Sequence, residues 1–114
     1  MAGKAVAAML RLEKKEGMVT IKNKSGGAIT ASEGIKLYQG YTLETGAASY
    51  VFVSLDGKTA AKLEASSRAE VKEAGDKLEL VALSGKLLMD VAVPAANGGN
   101  ANIRTSSTIT GIRG

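Results

Sequence analysis

Cysteine and histidine are both absent from this 114-residue chain. Their absence removes disulfides, thiolate nucleophiles, Ser-His pairs and every zinc site built on imidazole or sulfur. Most familiar enzyme mechanisms go with them. Aromatic residues are scarce, namely Tyr38, Tyr41, Tyr50 and Phe52, so Val, Ile, Leu and Ala must fill the core, which suits thin, sheet-based layers. No apolar run approaches the roughly 18 to 20 residues that span a bilayer. Met1 to Lys4 lacks the basic and long apolar regions of a signal peptide. The chain is therefore expected to be soluble, with no membrane span of its own. The missing cysteines leave the redox compartment open, because an adequate core needs no covalent staple.

The length fits one domain, residues 1–114, with a single core. Net charge is +4 and lies early: residues 1–36 carry seven Lys/Arg against three Glu, whereas residues 37–114 balance eight against eight. A basic first third can meet an anionic surface or phosphates. Lys14, Lys22, Lys24 and Lys36, however, alternate with apolar residues or sit in turns, as on a solvated strand face, and no nucleic-acid partner is expected.

Glycine-bearing turn signals punctuate the chain, among them Gly17, Ser25-Gly26-Gly27, Gly34, Gly40, Gly46, Asp56-Gly57, Gly75-Asp76 and Ser84-Gly85. Between them lie short runs of period-two alternation. The clearest is Ser49 to Leu55, where Val51, Val53 and Leu55 share one face and Tyr50, Phe52 and Ser54 the other. Met18 to Lys22, Lys58 to Glu64, Ala69 to Glu73, Lys77 to Leu83, Lys86 to Val93 and Asn102 to Ile112 read the same way. Asp56-Gly57 predicts an antiparallel hairpin of 49–55 with 58–64, and Glu73 to Lys77 predicts one of 69–73 with 77–83. Pro94 ends its strand before a small polar loop, Ala95 to Asn100. Strand spacing near ten residues, with no crossover helix, predicts an all-β fold: an antiparallel, jelly-roll-like sandwich or, as the alternative, a short β-solenoid.

Lys4 to Glu16 is rich in helix formers, yet Val6, Ala8, Leu10 and Leu12 alternate with Ala7, Met9, Arg11 and Glu13. The alternation favours an extra strand, joined through a bend at Gly17 to the next. Val51 and Leu55 are expected in the core, each costing roughly 2 to 4 kcal/mol when cut to Ala.

Candidate sites are few. Gly57-Lys58-Thr59 has Phe52 where a phosphate loop needs its leading glycine. Glu64, Glu70, Glu73, Asp76 and Glu79 are interleaved with Lys62, Arg68, Lys72 and Lys77, the pattern of cross-strand charge pairs on a wet face. Ser106 and Ser107 lack a base and a nucleophile elbow. No catalytic residue, cofactor or metal site is expected. The aromatic stretch from Tyr38 to Phe52 can stack a flat ligand, but only Lys36 stands near it in sequence, so basic-aromatic interleaving is missing. Tyr38 and Tyr41 remain candidate contacts for a partner.

The motifs run in a recognisable order. Gly17-Met18-Val19-Thr20-Ile21 is followed by Gly34, Leu37, Gly40, Leu43, Thr45, Gly46 and Ser49. Then come Val51, Val53, Leu55 and Asp56-Gly57, Leu63 and Ser66, and Leu83-Ser84-Gly85-Lys86. The series ends with Ile103, Thr105 and Gly111-Ile112-Arg113-Gly114. Over about residues 16–114 this resembles a FecR domain. The resemblance implies an extracytoplasmic, non-catalytic, all-β module, found in membrane-anchored regulators that relay an outer-membrane receptor's state to a sigma factor, or in stand-alone surface proteins. It implies a protein partner in the cell envelope. This sequence departs from the pattern in showing no transmembrane helix or anti-sigma segment, in one residue fewer before Asp56-Gly57, and in stopping at Gly114, where the family runs on. Ile109, Gly111, Ile112 and Arg113 are therefore expected to form an edge that pairs with a partner or in a homodimer. A cell-wall or carbohydrate-binding role is the alternative, motivated by Tyr38, Tyr41, Tyr50 and the basic first third.

Overall fold

Alternation becomes strand wherever the glycine punctuation leaves room for it. The computed structural model describes residues 4–55 and 59–92; of these, 63% are strand and none is helix. The strands are β1 (Lys4–Ala7), β2 (Leu10–Glu16), β3 (Val19–Lys22), β4 (Ala28–Ile29), β5 (Lys36–Leu37), β6 (Thr42–Thr45), β7 (Tyr50–Ser54), β8 (Thr59–Leu63), β9 (Arg68–Ala74), β10 (Lys77–Ser84) and β11 (Leu87–Ala92). They form a six-stranded sheet, β1-β10-β9-β6-β3-β4, and a five-stranded sheet, β11-β8-β7-β2-β5. Every pairing is antiparallel. The sheets pack face to face as an open β-sandwich rather than a closed barrel. The solenoid alternative is not what forms, since its coils would stack strands in parallel.

The inner faces interdigitate Leu10, Leu12, Val51, Val53, Leu63 and Leu87 from the five-stranded sheet with Ile21, Leu43, Ala69, Val71 and Leu80 from the six-stranded one. No ring belongs to this buried set, and Tyr41 only flanks it, as the shortage of aromatics requires. Val51 is fully buried, whereas Leu55 is half-buried at the margin. The expectation that both are core residues therefore holds in full for Val51 alone. Val51→Ala should cost about 2 to 3 kcal/mol and Leu55→Ala about 1 kcal/mol, read as shifts in urea midpoint. Equal costs would contradict this placement.

Both expected hairpins form. In β9–β10, Lys77 pairs with Ala74 around Gly75-Asp76. In β7–β8, Ser54 pairs with Ala60 and the Leu55 amide donates to the Thr59 carbonyl at 3.0 Å. That register leaves three residues, 56–58, between the paired ends, one more than Asp56-Gly57 alone. Residues 56–58 themselves lie outside the described residues, as do the expected Ala95 to Asn100 loop, the Asn102 to Ile112 strand and Ile109, Gly111, Ile112 and Arg113.

The structure differs from the sequence reading at β1–β2, β4, β5 and β6. Lys4 to Glu16 is two strands in different sheets, and it is Ala5 and Ala7, not Val6 and Ala8, that point inward before Leu10 and Leu12 do. The phase changes at Ala8-Met9, where the chain crosses between layers. β6, absent from the strands that the alternation predicts, pairs centrally with β3 and β9; a strand of four residues, among the five between Gly40 and Gly46, gives alternation too little length to register. β4 and β5, at two residues each, carry no periodic signal at all.

Candidate functional site

Within the described chain, the β3–β4, β7–β8 and β9–β10 connections stay in one sheet, and the others cross the sandwich. Two matched pairs of crossings form two corners of the sandwich. At the first, Ser49 Oγ accepts the Met18 amide at 2.9 Å and donates to the Ala47 carbonyl at 3.0 Å, while the Gly46 amide donates to Met18 O. At the second, Ser67 Oγ accepts the Lys86 amide at 3.0 Å and donates to Ala65 O at 2.9 Å, while the Glu64 amide donates to Lys86 O. Each serine follows a residue at positive φ, Ala48 at 54° and Ser66 at 53°. Each accepts the amide that follows a left-handed glycine, Gly17 at 77° and Gly85 at 81°.

Thr45 links the two corners. Its hydroxyl donates to Glu64 O and accepts the Ser67 amide at 2.9 Å, and the Ser66 amide donates to Gly46 O at 3.0 Å. Thr45, Ser49 and Ser67 are all buried, and buried hydroxyls are retained where their hydrogen bonds are complete. Gly17, Thr45, Gly46, Ser49 and Gly85 thus act as ties between crossing segments. Sequence reasoning did not see the paired Ala-x-Ser signal, Ala47-Ala48-Ser49 and Ala65-Ser66-Ser67.

The four aromatics separate into two pairs. Tyr38 and Tyr41 sit on the β5–β6 turn with rings edge to face, centroids 5.6 Å apart. The Gly40 amide donates to Val71 O, and the Val71 amide to Tyr41 O, so the turn is tied to β9. Tyr41 packs on the core and Tyr38 stays 55% exposed. The structure therefore brings these two candidates together. Tyr50 and Phe52 lie instead on the outer face of the five-stranded sheet, edge to face at 5.5 Å. Lys62 Nζ, from the neighbouring strand, stands 4.7 Å from the Tyr50 centroid and 5.6 Å from that of Phe52. Each such contact contributes about 0.5 to 1 kcal/mol at a partly exposed site.

Register extends this group into a row across four strands: Lys14 opposite Phe52, Phe52 opposite Lys62, Lys62 opposite Leu88. Basic-aromatic interleaving, missing along the sequence, is thus present across the sheet. Pairing of β2, β7 and β8 creates it, and residue order cannot show it.

On the six-stranded sheet the outer face carries one of the expected charge pairs, Glu79 opposite Lys72, and a further one, Glu44 opposite Arg68, while Glu70 and Glu73 stand opposite uncharged residues. Lys4 also meets Glu79 at 2.8 Å. With Lys4 largely exposed, that ion pair contributes under about 1 kcal/mol. Among the described residues no cluster of His, Cys, Asp and Glu could hold a metal ion, and no helix is long and apolar enough to cross a membrane.

No family model, curated protein or solved structure matches this chain.

Proposed function

We propose that this chain is a non-catalytic interaction and signalling module of FecR type, working outside the cytoplasm on a protein partner in the cell envelope. The motif spacing motivates the family and the compartment. The single observation that carries the interaction role is the Lys14–Phe52–Lys62–Leu88 row with Tyr50 beside it. Interface centres are enriched in such aromatic side chains, held on a rigid scaffold and ringed by polar groups. Three of the four described sheet edges, all but β1, are less suited to strand addition. β4 and β5 are two residues long, and β11 shifts register between Leu88 and Val91, with Asp90 at a φ of 61°. Short and bulged edges resist pairing.

Immobilised chain should capture a protein from cell-envelope extract, saturably and in competition with free chain. Recovery of nucleic acid alone would sink the reading. A carbohydrate-binding role is the second reading, favoured by Tyr38, exposed with its ring braced on Tyr41. Tyrosine fluorescence that stays constant against every envelope polysaccharide retires it.

A further inference from the structure

We infer that the outer face of the five-stranded sheet is a docking surface for an acidic segment of a protein partner, centred on Tyr50, Phe52 and Lys62 with Lys14 and Leu88 at its sides. This inference rests on the protein-partner reading above and adds the surface and the chemistry of what it takes.

Charge complementarity is the first argument. Rows on the six-stranded sheet neutralise themselves, because Glu44 stands opposite Arg68, Glu79 opposite Lys72, and Lys4 bonds Glu79. In the row Lys14–Phe52–Lys62–Leu88 each cation has an apolar or aromatic register partner, and the carboxylate that meets Lys62 is that of Glu64, two residues along the same chain segment. Glu16 stands opposite Tyr50, and Glu64 Oε1 lies 3.5 Å from Lys62 Nζ. That length is beyond a close charge-assisted hydrogen bond, so an incoming carboxylate can displace Glu64.

The second argument concerns what the rings offer. Lys62 Nζ stands over both rings, and its side chain is only 26% exposed. The ammonium thus occupies the ring faces that a nucleobase or sugar would need for stacking. What remains outward is a partly desolvated positive charge held by two aromatic rings, beside the half-buried Leu88 and Lys14. Partial desolvation strengthens attraction to an anion, and the apolar border excludes water from the contact. A protein segment that mixes carboxylates with apolar side chains satisfies both features.

The test uses the whole chain and a short poly-L-glutamate peptide as probe, followed by amide chemical shifts at low and at elevated salt. Shifts should centre on Tyr50, Phe52, Lys62 and Lys14 and shrink as salt screens the charges. Lys14→Gln with Lys62→Gln should weaken binding by about tenfold. Lys22→Gln with Lys72→Gln removes the same charge from the six-stranded sheet and should leave affinity within about twofold. Well-dispersed spectra confirm that each variant is folded, and Lys14→Gln alone supplies the test should the double variant not fold. Equal weakening by both pairs would reduce the effect to net charge and overturn the proposal. Overturning it equally would be shifts on the six-stranded sheet, no shifts at all, or tighter binding at this face of single-stranded oligonucleotide or acidic polysaccharide. If the face ignores the probe while envelope capture persists, this surface is wrong and the interaction role stands.

Discussion

Gly85→Ala should cost about 2 to 5 kcal/mol, the sum of a left-handed alanine and an overpacked contact. Gly85 adopts a φ of 81°, where an L side chain is strained in any surroundings. Its surroundings are also closed: an added Cβ would lie within 2.6 Å of Ser67 Cα and closer still to that residue's side chain. Ser67 cannot give way, because its hydroxyl holds the Lys86 amide and its own amide is held by Thr45. The crossing from β10 to β11 would have to part from the crossing from β8 to β9.

Gly26→Ala separates the two contributions, since Gly26 has a φ of 92° with nothing near the new methyl; it should cost about 1 to 2 kcal/mol. Ser67→Ala should cost about 1 to 3 kcal/mol, by stranding the Lys86 amide. Urea midpoints at matched slope measure all three. If Gly85→Ala were no worse than Gly26→Ala, the close approach of the two crossings would be wrong. Gly17 approaches Ser49 less closely, with an added Cβ 3.2 Å from Ser49 Cα, so Gly17→Ala should cost less than Gly85→Ala and more than Gly26→Ala.

These corner ties show why the molecule was only partly legible in its sequence. Strands with five or more alternating residues between turn signals, such as β7 and β10, were readable because burying one side of a pleat forces period two. β4, β5 and β6 are held by their neighbours rather than by their own pattern. Ser49 and Ser67 likewise gave no functional signal, since a hydroxyl that ties two crossings looks in sequence like any turn serine. The Tyr50–Phe52–Lys62 group was invisible for a different reason. Tyr50 and Phe52 are neighbours on one strand, but Lys62 and Lys14 reach them through the registers of β7 with β8 and with β2. The Tyr38–Tyr41 pair, formed within one short turn, was within reach of residue order; its separation from Tyr50 and Phe52 onto another part of the fold was not.

The first strand tests the layer assignment most sharply, because there the alternation admits two opposite phases. Ala5→Asp should destabilise the domain by about 3 kcal/mol or more, the cost of a carboxylate in an apolar site with no partner. Ala5 is buried opposite the fully buried Leu80, and aspartate is too short to carry its charge out to water. Val6→Lys should be nearly neutral: Val6 is exposed and stands opposite Glu79, and a lysine there adds a solvated cross-strand pair of under about 1 kcal/mol. A single continuous strand through Lys4 to Glu16 would reverse both results, since Val6 would then share the buried side with Leu10 and Leu12, and Ala5 would face solvent. Thermal melts of the two variants decide between the phases without reference to any ligand. A tolerated Ala5→Asp would remove β1 from the six-stranded sheet and leave β10 as its edge.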